Sequence, residues 1–197
     1  MKKLTPLQKE VLYGILLGDA SLQWNDTQTT CRLRYTQKNY EYIMHVYAMF
    51  RDFTNTPPKL NKKTNVWYFN TLQFGLFRFY RQQFYDHLGN KKIPRLIHRW
   101  LTPRAVAYWY MDDGSVKDRN TSSGVRFCTD CFSEADVKFL AKQLALCFQI
   151  QTSTFKQRDK LRIYVSGKDG NGKRFGEQIL PYIIPEMITK VPPKWFN

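Results

Sequence analysis

Apolar and polar residues alternate strictly in two well-separated stretches of the chain. In CRLRYT, Cys31, Leu33 and Tyr35 fall on one side, and Arg32, Arg34 and Thr36 on the other. In KLRIYVS, Leu161, Ile163 and Val165 oppose Lys160, Arg162, Tyr164 and Ser166. A period of two marks a strand with one buried face. Elsewhere the period lengthens. Val137, Leu140, Leu144 and Phe148 recur near helical spacing, and Ser133 with Glu134 and Asp136 behind it is a helix start. LQKEVLYGILLGDASL and RAVAYWYMDDGSV read as apolar helices, each entered through Thr-Pro. Thr5 and Thr102 are good caps, and Pro6 and Pro103 stand where a missing N–H does no harm. KLNKKTNVWYFNT and TSTFKQRDKLRIYVSG predict hairpins turning at Lys62–Asn65 and Arg158–Lys160.

These elements come in the same order twice. Leu4-Thr5-Pro6 recurs as Leu101-Thr102-Pro103, and the helix after each ends in an aspartate, Asp19 and Asp113. A strand and an amphipathic helix follow, in CRLRYTQKNYEYIMHVYAMF and in VRFCTDCFSEADVKFLAKQL. A hairpin and a last helix then lead to Lys91-Lys92-Ile93-Pro94 in one half and Lys190-Val191-Pro192 in the other. The pattern predicts an α+β protein made of two copies of one unit, each about a hundred residues long, with pseudo-twofold symmetry. The expected boundaries are 1–97 and 98–197, the two packed as one pseudo-dimeric unit.

Composition adds a core and a charge. Of the 197 residues 43% are hydrophobic, with 14 Phe, 12 Tyr and 5 Trp, so the chain can bury a real core. Net charge is +15. The excess is spread through both halves, so it is not a detachable basic tail, and it points to a polyanion, most simply nucleic acid. The polar faces of the two alternating strands carry Arg, Lys, Tyr and Thr with hardly a carboxylate. That suits a β-ribbon laid in a groove of duplex DNA, reading base edges and holding phosphates. The candidate contacts are Arg32 and Arg34, Lys62 at a hairpin turn, and Tyr68 and Asn70 on the returning strand. Lys117, Arg119 and Arg126 follow in the second half, with Lys156, Arg158, Lys160, Arg162 and Tyr164 on its hairpin. A ribbon of about 8–10 residues at ~3.3 Å each spans ~30 Å, so two halves reach about 18 base pairs. Because the halves differ in sequence, that site is not palindromic.

Other chemistries fit less well. Cys128 and Cys131 form a CxxC with no second CxxC or CxxH, so four reduced thiols are expected and not a zinc site. His45, His87 and His98 form no recognisable metal constellation. No apolar run approaches the length of a membrane span, and MKKLTPLQKEV lacks the apolar core of a secretory leader. Trp109 and Tyr110 are expected in the core, and Asn55–Pro58 and Val191–Pro193 in loops.

Two adjacent acids, Asp112 and Asp113, close an apolar helix at the end where the helix dipole favours cations. LYGILLGDA (Leu12–Ala20) and VAYWYMDDG (Val106–Gly114) together resemble the paired signature of the LAGLIDADG homing endonucleases, in their two-motif monomeric branch. Leu12, Gly14, Gly18 and Asp19 fit the first signature, Asp113 and Gly114 the second. The resemblance implies two αββαββα repeats whose signature helices pack side by side, with antiparallel sheets forming a DNA-binding saddle. Gly14 and Gly18 are one turn apart on one face, which agrees with a close helix approach. Tyr108 and Asp112 stand at the matching second positions, so the approach is expected to be asymmetric.

By the same resemblance the chain is a site-specific, intron-encoded endonuclease that breaks both strands of a long target across the minor groove, leaving 3′ overhangs. Asp19 and Asp113 correspond to the acidic ligands of two or three divalent ions. Mg²⁺ is expected, with Ca²⁺ or Mn²⁺ able to substitute, and the backbone of Ala20 and of Gly114 or Asp112 are further candidate ligands. Hydrolysing a phosphodiester needs an activated water and neutralised phosphate charge, and hard divalent ions on carboxylates provide both. Lys91 and Lys190 match the family's active-site lysines, with Lys92 a neighbour of the first. Gln37 matches a glutamine that organises water. Its counterpart is Asp130, so the two strands are expected to be cut at unequal rates. The alternatives are a maturase that assists group I intron splicing by binding intron RNA, and a catalytically inactive DNA-binding protein. Retention of both aspartates and both lysines favours the nuclease. The compartment implied is an organelle or another intracellular site holding the intron-bearing gene, and the protein is expected to be a monomer.

Overall fold

The computed structural model describes residues 2–196. Helix α1 (Pro6–Leu17) leads to strands β1 (Ser21–Trp24) and β2 (Cys31–Gln37), helix α2 (Tyr40–Phe50), strands β3 (Lys59–Asn61) and β4 (Val66–Asn70), and helix α3 (Leu76–Phe84). The order then returns as α4 (Pro103–Asp113), β5 (Gly114–Val116), β6 (Val125–Phe127), α5 (Glu134–Phe148), β7 (Thr152–Gln157), β8 (Lys160–Val165) and α6 (Asn171–Ile179). Each half is therefore αββαββα with one antiparallel sheet, ordered β1-β2-β4-β3 and β5-β6-β8-β7.

The local signals act as the sequence pattern predicts. Thr5 and Gln8 exchange side-chain and backbone bonds in a capping box at the start of α1. Thr102 and Ser133 accept the N–H groups of Ala105 and Asp136 at the starts of α4 and α5. Cys31, Leu33 and Tyr35 are buried, as are Leu161, Ile163 and Val165. The β7–β8 loop has only two residues, Arg158 and Asp159, both at positive φ. That is the turn hand which matches strand twist, reached here without glycine. The halves differ most between their first two strands. β5 and β6 have three residues each and are joined by the long segment 117–124, whereas β1 and β2 turn over 25–30 around the Asn25 side chain.

Helices α1 and α4 lie against each other at the centre, and glycine makes that possible. A Cβ on Gly14 would stand 2.3 Å from the Ala105 carbonyl oxygen and 2.7 Å from Tyr108 Cβ. A Cβ on Gly18 would stand 2.4 Å from Asp112 Oδ2. The contact is asymmetric, as expected: α1 offers bare backbone and α4 fills the space with Tyr108 and Asp112. Arg104 of α4 also pairs with Glu10 of α1 at 2.7 Å. Trp109 and Tyr110 are fully buried, Trp109 stacked on Phe127 with centroids 4.0 Å apart. Among the described residues no helix is long and apolar enough to cross a membrane.

Candidate active site at the paired helix ends

Packing α1 against α4 brings their C-terminal ends together, and Asp19 and Asp113 with them. Asp19 follows the Gly18 cap and reaches solvent, while Asp112 and Asp113 are half-buried at the last turn of α4. Two lysines arrive from outside the helices. Lys91, bridged to Tyr85 after α3, donates from Nζ to the Gly18 carbonyl at 2.7 Å. Lys190, at the end of a 3-10 turn over Pro185–Lys190, donates to the carbonyls of Met111 and Asp112, the latter at 2.7 Å. Tyr110 fixes that turn by donating to the Lys190 carbonyl at 2.8 Å. Each ammonium thus satisfies carbonyls that a helix end leaves orphaned and supplies the positive charge its dipole calls for. Carboxylates at a helix C-terminus become tolerable because a lysine caps each helix.

Charge and burial act strongly on these groups. Burial, then the like charge of Asp19, pushes the Asp113 carboxyl up to about 7 against the pull of Lys91 and Lys190. Burial also raises Asp19, opposed by Lys190, Lys91 and Gln37. Asp112 is raised well above the ordinary carboxylate range, by burial and then by the charge of Asp19. Both lysines are lowered by burial, with the surrounding carboxylates opposing. Three acids so close resist ionising together. Among the described residues no group of three or more His, Cys, Asp or Glu is placed to hold a metal ion. The donors present are two hard carboxylates from facing helices, open to solvent on one side. They fit a divalent ion that keeps water and phosphate oxygens in its shell. The Asp112 carbonyl accepts from Lys190 and keeps a second lone pair, so Ala20 and Gly114 or Asp112 all stay backbone candidates.

The half-sites differ around these acids. Gln37, at the end of β2, donates from Nε2 to Asp19 Oδ2 at 3.1 Å and to Asp112 Oδ1 at 3.3 Å. Asp130 does not copy it. It sits past the end of β6 and grips Arg162 with two bonds, 2.9 Å from Nε and 2.7 Å from Nη2. The guanidinium holds the Asp130 carboxyl below the usual carboxylate range. Arg162 also donates to Gln157, so this fork is already engaged within the protein. Cys128 and Cys131 flank Asp130, and Cys131 lies near enough to Lys91 and Asp113 to feel their charges, a proximity invisible in the sequence. Lys92 faces away, into a hollow lined also by Arg81 and His87.

The sheets gather most of the proposed contact residues onto their polar faces. Ladder partners share a face. Arg34 is opposite Asn70, and Thr36 opposite Tyr68, with the Arg34 guanidinium 5.3 Å from the Tyr68 ring. Arg32 donates to Gln23 at 3.0 Å. In the second sheet Arg126 is opposite Tyr164, over which Lys117 stands at 5.2 Å, and Lys160 and Arg162 continue that face. Lys62 and Arg158 sit exposed at the two hairpin turns. Arg119, in segment 117–124, donates to the Thr189 carbonyl beside Lys190. Lys156 departs from the expectation. It is opposite buried Leu161, on the helix side of the sheet, and pairs with Glu134 at 3.1 Å.

Sequence reasoning also missed the contact between Tyr35 and Asp112. Tyr35 is buried and donates to Asp112 Oδ1 at 2.7 Å. The alternating pattern marked Tyr35 as core and nothing more. The only hint for Asp112 was its alignment with Gly18.

Two helices crossing on glycine, an acid at each end and a sheet on either side define the LAGLIDADG class. The chain belongs to the LAGLIDADG DNA endonuclease family, whose profile matches residues 9–172. It is similar to DNA endonuclease I-ChuI of Chlamydomonas applanata, 31% identical over 95% of both chains. It is also similar to probable intron-encoded endonuclease 1 of Wickerhamomyces canadensis, 30% identical over 95% of this chain and 85% of that one. Cytochrome b mRNA maturase bI2 of Saccharomyces cerevisiae is 29% identical, and the chain spans 46% of its length. Among solved structures, the homing endonuclease I-WcaI bound to its DNA recognition sequence superposes with a TM-score of 0.87. It is 28% identical over 96% of this chain and 88% of that one.

Proposed function

We propose that this protein is a monomeric, intron-encoded homing endonuclease that makes a double-strand break in a long, non-palindromic DNA site. The reading rests above all on Asp19 and Asp113, which meet at adjoining helix ends with Lys91 and Lys190 beside them. Asp19 and Asp113 would hold the divalent ions, Mg²⁺ by donor chemistry, with Mn²⁺ or Ca²⁺ as substitutes. When bound, two or three such ions neutralise phosphate charge and lower the pKa of a bound water. The remaining work falls to the chain. The halves 1–97 and 98–197 each seat one half of the duplex along a sheet, so the two scissile phosphates come to rest over the helix ends. Lys91 and Lys190 present positive charge to phosphate oxygens where solvent is partly excluded and the field is strong. Gln37 orients water beside Asp19. Cleavage across the minor groove then leaves 3′ overhangs.

A cytochrome b mRNA maturase and a chloroplastic protein among the relatives favour an organellar compartment, and similarity to the yeast maturase keeps intron RNA as a second partner. The test is selection from a duplex library or from intronless alleles, with Mg²⁺ and then with EDTA. Metal-dependent cleavage at one site is expected, with Asp113→Asn abolishing it. Undiminished cleavage by Asp113→Asn, or tight binding of one duplex without nicking in Mg²⁺, overturns the reading. Rescue of splicing without DNA cleavage selects the maturase.

A further inference from the structure

We infer that Asp112 is a positioning residue. Reaching across the helix pair, it fixes Gln37 and the Asp19 backbone, and so tunes cleavage of one DNA strand more than the other. The inference rests on the reading of Gln37 and Asp19 given above.

Asp112 comes from the second half of the chain, yet among the described residues every donor to its carboxyl belongs to the first. Oδ2 accepts the Asp19 N–H at 3.1 Å. Oδ1 accepts the Tyr35 hydroxyl at 2.7 Å and Gln37 Nε2 at 3.3 Å. Glycine at position 18 is what admits the carboxyl, since a Cβ there would lie 2.4 Å from Oδ2. The Gln37 amide is then held from both ends. Its NH₂ faces two acceptors, Asp112 and Asp19, while its Oε1 accepts the Lys38 N–H at 2.9 Å. Turning the amide over would set its carbonyl against two carboxyl groups and its NH₂ against an N–H, so this network selects one orientation. Asp112 thus sets the rotamer of Gln37 and, through the Asp19 N–H, the backbone that carries the Asp19 carboxylate.

Among the described residues nothing equivalent serves the second half. The position matching Asp112 is Gly18, which has no side chain, and the residue matching Gln37 is Asp130, which is clamped by Arg162. A group that orients a reacting side chain through hydrogen bonds typically changes rate or affinity about 10–100-fold when removed. Here that change should fall on the strand whose attacking water lies beside Asp19 and Gln37.

The experiment follows both strands of the selected duplex, each end-labelled, under single turnover with Mg²⁺. DNA affinity in Ca²⁺ and thermal unfolding serve as controls. Gln37→Ala identifies the dependent strand. Asp112→Ala should slow that same strand roughly 10–100-fold and the other less than about three-fold, leaving nicked duplex. Asp112→Asn keeps the volume and one acceptor, and should slow the same strand by a smaller factor. The double variant Gln37→Ala/Asp112→Ala should show little more strand bias than the stronger single. Equal slowing of both strands by a folded, DNA-binding Asp112 variant means that Asp112 only packs the helices, and the inference falls. If Asp112→Ala does not fold, Asp112→Asn is judged by the same strand criterion. Strand bias in Gln37→Ala with none in either Asp112 variant overturns this inference alone. Parental rates on both strands for Gln37→Ala overturn the role given to Gln37, and the inference with it.

Discussion

Asp113 carries a distinct pH signature. Its folded carboxyl titrates near 7, against 3.8 for an ordinary aspartate. Below 3.8 it is protonated in both states and costs nothing. As pH rises from there towards 7, the unfolded chain releases its proton while the folded chain retains it, so stability falls, and above 7 the loss is complete. Asp19, Lys91 and Lys190 face the same carboxyl and modulate that window. In metal-free protein, Asp113→Asn should therefore raise Tm over the parent by more at pH 8 than at pH 5. Calorimetry across that range checks it, and an equal difference at both pH values would count against the buried, repelled state of Asp113. The lysines belong to this scale too. The sequence pattern could pair Lys91 with Lys190, but not see that each caps the end of a signature helix.

At the scale of elements, the α1–α4 contact decides where the two aspartates sit. Ala is the better helix former, so Gly14→Ala would stabilise an isolated helix by about 1 kcal/mol. In the fold its Cβ would meet the Ala105 carbonyl, a backbone atom that cannot step aside cheaply. Net destabilisation of about 1–3 kcal/mol is expected, read as a lower midpoint in denaturant. Gly14→Ala should also reduce cleavage more than DNA binding, because it separates the acids while leaving both sheets intact. The helices, caps, hairpins and the faces of β2 and β8 were legible in the sequence, since capping residues and hydrophobic period act within a few positions, whereas the face of Lys156 on β7 was not. What was not legible is the fate of Asp130. It aligns with Gln37 by sequence, but the short β6 ends before it, and Arg162 from β8 claims its carboxylate.

Across the whole molecule, the charge of +15 should appear as salt-dependent DNA binding. Each phosphate neutralised on a duplex contributes a slope on the order of −0.9 in log K against log salt. Lys117→Ala or Arg126→Ala should each reduce that slope by about one. Lys156→Ala should leave it nearly unchanged, because Lys156 lies on the helix side of its sheet with Glu134. Binding titrations at several salt concentrations separate these cases. A loss with Lys156→Ala equal to that with Arg126→Ala would contradict the assignment of faces.

The sequence by itself determined a duplicated α+β chain, basic throughout, with an aspartate closing each signature helix and a lysine closing each half. Those features live in local period, in capping chemistry and in the register of two copies, all readable along one dimension. Only the tertiary structure decided how the copies differ. Asp112 and Asp113 are neighbours in sequence, yet one turns into the helix pair to meet Tyr35 and Gln37 and the other faces Asp19 at the open end. The choice between them rests on Gly18, some ninety residues away, which leaves the space that only one of the two carboxyls can enter.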